Sequence, residues 1–116
     1  MSTTPESLMT EFSISLSNQN TLLMSIMNIQ ENVLELTKGG KEKTRHPLFV
    51  EMIDKQLKVL EDEMDNIYRI YDLYFASRRE IWYSRDISRK MTRSISQLEK
   101  MDDTLFYLRK LCIRES

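Results

Sequence analysis

After Pro47 the chain continues to its last residue without another glycine or proline. β-Hairpins, Greek keys and barrels need these residues in turns at short intervals, so their scarcity excludes such folds. Glycine-rich loops that hold phosphates are excluded for the same reason. Gly39, Gly40 and Pro47 lie in one short segment, and the remaining proline, Pro5, lies near the start. We therefore expect long helices and one clear linker.

The first predicted helix covers about residues 5–38, and a linker follows at 39–47. Thr4 is a suitable N-cap, Pro5 fits a first helical turn, and Gly39 suits a helix C-terminus. Between them, a row of mostly apolar residues recurs at alternating steps of three and four, which is the pattern of a helix that packs along one side. We call such a row a seam. The seam comprises Leu8, Phe12, the polar Ser15 and Gln19, Leu22, Ile26, Ile29, Val33 and Leu36.

Two further apolar seams follow, and they are out of phase with each other. One runs from Val50 to Ile81 and the other from Ile87 to Cys112. The slip between them has two explanations. Either the chain turns near residue 86, or one helix continues over 48–114 with a stutter in its repeat. Such a continuous helix would be about 100 Å long at 1.5 Å per residue.

We favour the turn, because a first helix of ordinary length would not cover so long a helix in a monomer. Ser84, Asp86 and Ser88 also offer caps at that point, although no glycine is present. The second and third helices are then predicted at about 48–84 and 87–114. The predicted fold is all-α: a long antiparallel three-helix bundle with coiled-coil-like packing, in a single domain over 1–116. Sustained seams favour assembly with a second copy or with other helical subunits.

The end of the second predicted helix carries the residues most suited to partner binding. Six basic and two acidic side chains lie between Arg78 and Arg93. A turn near residue 86 would gather this basic segment around one tip of the bundle, beside aromatic residues that suit interfaces. Arg78 and Arg85 lie on the apolar stripe, and a buried arginine must reach water or a carboxylate. Either the bundle opens at this end and both guanidinium groups reach water, or an acidic partner surface covers the end. The predicted partner-binding residues are Tyr71, Tyr74, Arg78, Arg79, Trp82, Tyr83, Arg85, Arg89, Lys90 and Arg93.

Residues for catalysis or metal binding are not apparent in the sequence. His46 is the only histidine and Cys112 the only cysteine, so the usual transition-metal sites and an internal disulfide are excluded. The acidic run at 61–65 lies within a predicted helix and has no EF-hand glycine, so we interpret it as a solvated face. The sequence therefore predicts no cofactor, no metal site and no enzymatic activity.

Two functions remain. The favoured one is a non-catalytic helical scaffold or adaptor subunit that mediates protein–protein interaction in a larger assembly. The alternative is a subunit of a nucleic-acid-associated complex that uses the basic Arg78–Arg93 segment, since clustered arginines and nearby aromatics can hold phosphates and stack on bases. Direct nucleic-acid binding is not favoured, because no recognition helix, zinc finger or RNA-binding aromatic motif is present.

The stretch Tyr68–Ile81, in which tyrosines precede Arg78-Arg79-Glu80-Ile81, in part resembles the helical domain of GINS replication subunits. The resemblance covers only a short part of the chain, and the β-domain that those subunits usually carry is not apparent. It implies a DNA-replication or chromosome-type complex and therefore belongs with the alternative function.

The sequence also predicts where the chain is found. It contains no window of about 20 apolar residues, so we expect no membrane span. The first residues carry acidic rather than basic side chains, unlike a secretory signal. A lone cysteine is typical of a reducing compartment, so we expect an intracellular protein, cytoplasmic or nuclear, in a homo- or hetero-oligomer.

Overall fold

The computed structural model describes residues 4–37 and 47–113, which form three α-helices and no strand. Helix α1 spans Pro5–Thr37, α2 spans Pro47–Ala76 and α3 spans Arg85–Cys112. Each helix packs against the other two in a bundle that measures 60 × 25 × 19 Å. The predicted all-α bundle is confirmed. The predicted linker residues 39–46, with His46, lie outside the described residues.

Contacts between side chains show that neighbouring helices in the sequence run antiparallel. On α1 and α2, Glu11 meets Arg69 and Asn18 meets Glu63, so numbers rise on one helix as they fall on the other. On α2 and α3, Arg109 Nε lies 2.8 Å from Asp54 Oδ1. The Tyr68 hydroxyl donates to Glu99 Oε1 on the same pair of helices. These exposed pairs contribute little stability, and the buried seams hold the bundle together.

The buried residues of α1 and α3 follow the predicted seams closely, and those of α2 do so except for Ile70, which lies off its predicted seam. The α1 seam is buried from Leu8 to Val33, whereas Leu36 is half-exposed. On α3, buried positions recur at the predicted steps from Met91 to Cys112. The fully buried residues of α2 are Ile53, Leu60, Ile67, Ile70 and Tyr74.

Helix α2 ends at Ala76, well before the predicted end near residue 84, and α3 begins at Arg85. Residues 77–84 reverse the chain through successive turns, in which Ser77 N donates to Tyr74 O and Glu80 N donates to Ser77 O. Ser84 then caps α3, with an extended backbone at φ −125° and ψ 130°, and its hydroxyl accepts from Ile87 N. No positive φ is needed at this cap, so a serine starts the helix without a glycine nearby.

One polar pair interrupts the apolar seam of α1. Gln19 and Ser15 are both buried, and Gln19 Nε2 donates to Ser15 Oγ over 3.1 Å. The amide oxygen of Gln19 is buried and has no hydrogen-bond partner among the described residues. A buried acceptor without a partner loses its hydration without compensation, so this position weakens the core.

We predict that Gln19→Met stabilises the bundle. A thioether of similar length keeps the volume and removes the unpaired oxygen, which should raise the free energy of unfolding by about 1 kcal/mol. Thermal unfolding followed by circular dichroism should show a melting temperature higher by about 4 °C. Ser96→Met, at an exposed position of α3, is the control and should leave the melting temperature unchanged. A lower melting temperature for Gln19→Met would contradict this account.

Candidate functional site at the basic tip

The predicted partner-binding residues gather at the end of the bundle where α2 passes into α3. We call residues 77–93 the basic tip: they comprise the connecting turns 77–84 and the first turns of α3. Eight of the ten predicted residues lie in this segment, and Tyr71 and Tyr74 lie in the last turns of α2. The turn between α2 and α3 therefore brings the predicted partner-binding residues to one end of the bundle.

An aromatic cluster fixes the shape of the connecting turns. The ring of Tyr74 stacks on Tyr83, with centroids 4.8 Å apart, and lies 5.7 Å from the ring of Trp82. The Tyr74 hydroxyl accepts a 2.6 Å hydrogen bond from Ser84 N and lies 3.3 Å from Ser84 O. One buried phenol therefore ties the end of α2 to the residue that caps α3.

Tyr74 is fully buried, so it presents no surface to a partner. This corrects its predicted place among the contact residues: it supports the turn from inside. Trp82 and Tyr83 are partly buried and also pack on the core, so only part of each ring faces outward. Tyr71, partly buried as well, stacks on Phe75 with centroids 5.9 Å apart.

The basic side chains of the tip are exposed, and most of them are unpaired. Four of them form no side-chain hydrogen bond or ion pair with the described residues: Arg79, Arg85, Lys90 and Arg93. Arg78 lies over the Phe75 ring, 4.7 Å from its centroid, and donates to Phe75 O. Arg89 lies 3.8 Å from Asp86, but both side chains are open to water, so this pair is weak. Most of the donors of the tip are therefore available to a partner.

Ile81 is completely exposed, and along the chain it lies between Arg79 and Arg85. Sequence periodicity placed it in the core stripe of α2, but the early end of α2 at Ala76 carries it out of the bundle. This residue was therefore missed as a contact candidate. The sequence did contain a sign that the stripe leaves the core at this point, because Arg78 lies on the same stripe and an arginine is poorly suited to a core.

The rest of the described chain offers little reactive chemistry. Among residues 4–37 and 47–113, no group of three or more His, Cys, Asp or Glu side chains could hold a metal ion. Cys112 is buried in the core, and this burial raises the pKa of its thiol. An open groove of about 910 Å³ lies between α2 and the end of α3, beside the Asp54–Arg109 pair, and no residue of the basic tip lines it. The helices that the structure describes include none with the length and apolarity to cross a membrane.

Comparison of the chain with protein-family models, with curated proteins and with solved structures finds no match. The resemblance of Tyr68–Ile81 to GINS subunits gains no support from these comparisons.

We predict that Tyr74→Phe destabilises the fold although it keeps the ring. Loss of the hydroxyl leaves the Ser84 amide without its partner, at a cost of about 1–3 kcal/mol in the free energy of unfolding. Chemical denaturation should show this loss as a lower midpoint with an unchanged slope. Tyr107→Phe, which removes a hydroxyl from an exposed tyrosine of α3, should have no effect. Equal midpoints for the two variants would show that the Tyr74 hydroxyl does not support the turn.

Proposed function

We propose that this chain is a non-catalytic helical adaptor or scaffold subunit whose basic tip binds an acidic surface on a partner protein. The observation that carries the proposal is the exposed Ile81, held on a braced turn among arginines without partners. Single exposed apolar residues are common on protein surfaces, but Ile81 is fully exposed and lies in a segment rich in unpaired basic side chains. An apolar centre with a charged rim is the usual composition of a protein interface.

The geometry of the tip suits carboxylate ligands. Arginine guanidinium groups bind carboxylates through two parallel hydrogen bonds, and Arg79, Arg85 and Arg93 have those donors available. Complementary charge also accelerates encounter and rejects basic partners. Because the Tyr74 cluster holds the turn in place before binding, little conformational entropy is lost when a partner docks.

Nucleic-acid binding is less well supported by the same residues. Trp82 and Tyr83 pack against Tyr74, so their rings do not form an open platform for stacked bases. Glu80 and Asp86 also lie within the tip and would repel phosphates. The tip therefore favours a protein partner, and nucleic acid stays the alternative.

We predict that reversing two charges of the tip abolishes partner capture without unfolding the chain. Arg85→Glu/Arg89→Glu should reduce capture at least tenfold in affinity purification from cells, because it replaces attraction by repulsion at the contact. The melting temperature of this variant should stay within a few degrees of that of the unmodified chain, since both side chains are exposed. Lys55→Glu/Lys58→Glu makes the same charge change on α2 and should retain the partner.

The outcomes of this experiment separate the two functions. Undiminished capture by Arg85→Glu/Arg89→Glu would overturn the proposal. Binding of labelled DNA or RNA that disappears in moderate salt and is lost in this variant would instead establish the nucleic-acid alternative. A fold-defective variant would be recognised by its melting curve, and Arg79→Glu/Arg93→Glu would then repeat the test.

Ile81→Ser provides a second, independent prediction. Removal of a fully exposed apolar side chain should leave the melting temperature unchanged and weaken capture several-fold, because the partner loses its apolar contact. Ile113→Ser, at an exposed position beyond α3, is the matched control for capture. Capture unaffected by Ile81→Ser would show that the tip binds through its charges alone.

A further inference from the structure

The middle of α1 differs from the rest of the surface because it carries no charge. Residues 12–30 contain no Asp, Glu, Lys, Arg or His, although 30% of the whole chain is charged. At 1.5 Å per residue this uncharged stretch is about 28 Å long. The solvated face of a surface helix is ordinarily polar and charged, whereas depletion of charge is typical of the centre of a protein interface.

Large apolar side chains lie exposed along this uncharged stretch. Met24 is 73% exposed, and Ile14, Leu23 and Met27 are also open to solvent. Next to α1, an open groove of about 360 Å³ separates it from Gln97, Lys100 and Thr104 of α3. Leu23 and Met27 line this groove, and the surface that they form is separate from the basic tip.

Six exposed positions on this surface form a second seam with steps of four, three, four, three and four. We call it the outer seam, and it consists of Leu16, Asn20, Leu23, Met27, Gln30 and Leu34. It is rotated by one residue, about 100°, from the buried seam of α1. The spacing is that of a helix packed against a second helix in a coiled coil.

The outer seam is complementary to itself when it is read in the opposite direction. In an antiparallel pair of α1 helices centred on residue 25, Leu23 meets Met27 and Asn20 meets Gln30, while Leu16 meets Leu34. Apolar residues thus face apolar residues, and the two amides face each other and can form hydrogen bonds. A shift by one heptad would place an amide against Leu23 or Met27, so the amide pair selects this register.

Charge and helix dipoles favour the antiparallel orientation over the parallel one. Glu31 and Glu35 lie at one end of α1, so a parallel pair would bring four carboxylates together. In the antiparallel pair these glutamates lie opposite residues 15–19 of the other helix, which carry no charge. Antiparallel helices also bring their dipoles into a favourable alignment.

We propose that two copies of this chain associate through α1, antiparallel, with Leu23 of each copy packed against Met27 of the other. The surface is a narrow stripe, about 30 Å by 10 Å, extended by the flank of the α3 groove. Its area of about 300 Å² on each copy is below the roughly 800 Å² that each partner gives to a standard interface, so the flank of the α3 groove has to add to the contact. A contact of this size is typical of weak association, so we expect a dissociation constant in the upper micromolar range.

Sedimentation equilibrium of the purified full chain tests the association and its orientation together. The original chain should approach twice the 13.9 kDa mass of one copy as its concentration rises through the micromolar range. Leu23→Glu/Met27→Glu places like charges at the central layers and should weaken association at least thirtyfold. Leu23→Glu/Met27→Lys places opposite charges across the antiparallel layers, so it should associate more strongly than the double glutamate and lose this gain in high salt.

The matched control is Met52→Glu/Val59→Glu, which replaces two exposed apolar residues of α2 and should leave the dimer intact. A chain that stays at 13.9 kDa at high micromolar concentration would overturn the proposal. Dimers that persist in Leu23→Glu/Met27→Glu but are lost in the α2 control would overturn it too. Neither result bears on the basic tip, whose capture experiment uses different residues.

Cysteine cross-linking decides the orientation separately. Asn20→Cys and Gln30→Cys, each alone, should fail to cross-link, because residues of equal number lie about 15 Å apart in the antiparallel pair. A mixture of the two variants should form a disulfide-linked dimer. Cross-linking of each variant with itself would show a parallel pair and overturn the antiparallel model. Cys112 is buried, and the original chain serves as the background control.

Discussion

The hydrogen bonds between the Tyr74 hydroxyl and the backbone of Ser84 hold together the two ends of the helical hairpin on which the rest of the structure is built. Without a glycine, the chain reverses direction by packing Tyr83 and Trp82 onto the ring of Tyr74. The aromatic cluster therefore replaces the turn residue that the sequence lacks. It ends α2, starts α3 at the Ser84 cap and places Ile81 outside the core.

The periodic seams made the helices and their buried faces predictable. Apolar residues at alternating steps of three and four fit a helix and not a strand, and the chain has almost no glycine or proline to interrupt one. The direction of α3 and the burial of Ser15 and Gln19 followed from that pattern. The end of α2 did not, since the repeat from Val50 to Ile81 continues past it without interruption. Local periodicity shows which residues a helix would bury. It does not show a competing contact ten residues away, such as the hydrogen bond that Ser84 N donates to the Tyr74 hydroxyl.

The candidate site could be predicted only in part, because some of its residues depend on where α2 ends. The location of the basic residues at one tip required only that the chain turn near residue 86, so charge and seam phase were sufficient. The inward role of Tyr74 and the outward place of Ile81 both depend on the last turn of α2, which periodicity misplaced. The uncharged run at 12–30 was visible in the sequence, but its meaning depends on which residues of α1 stay exposed after the bundle forms.

The two proposed surfaces lie on different parts of the molecule, and together they have a geometric consequence. The Glu11–Arg69 pair shows that the start of α1 lies near the end of α2 and hence near the basic tip. An antiparallel pair centred on residue 25 would therefore place its two tips at opposite ends, about 60 Å apart at 1.5 Å per residue on each side. Such a dimer cannot bring both tips to one small acidic patch. It would bridge two partners, or two sites on a partner that is itself repeated, and the second contact would then benefit from the effective concentration set by the first.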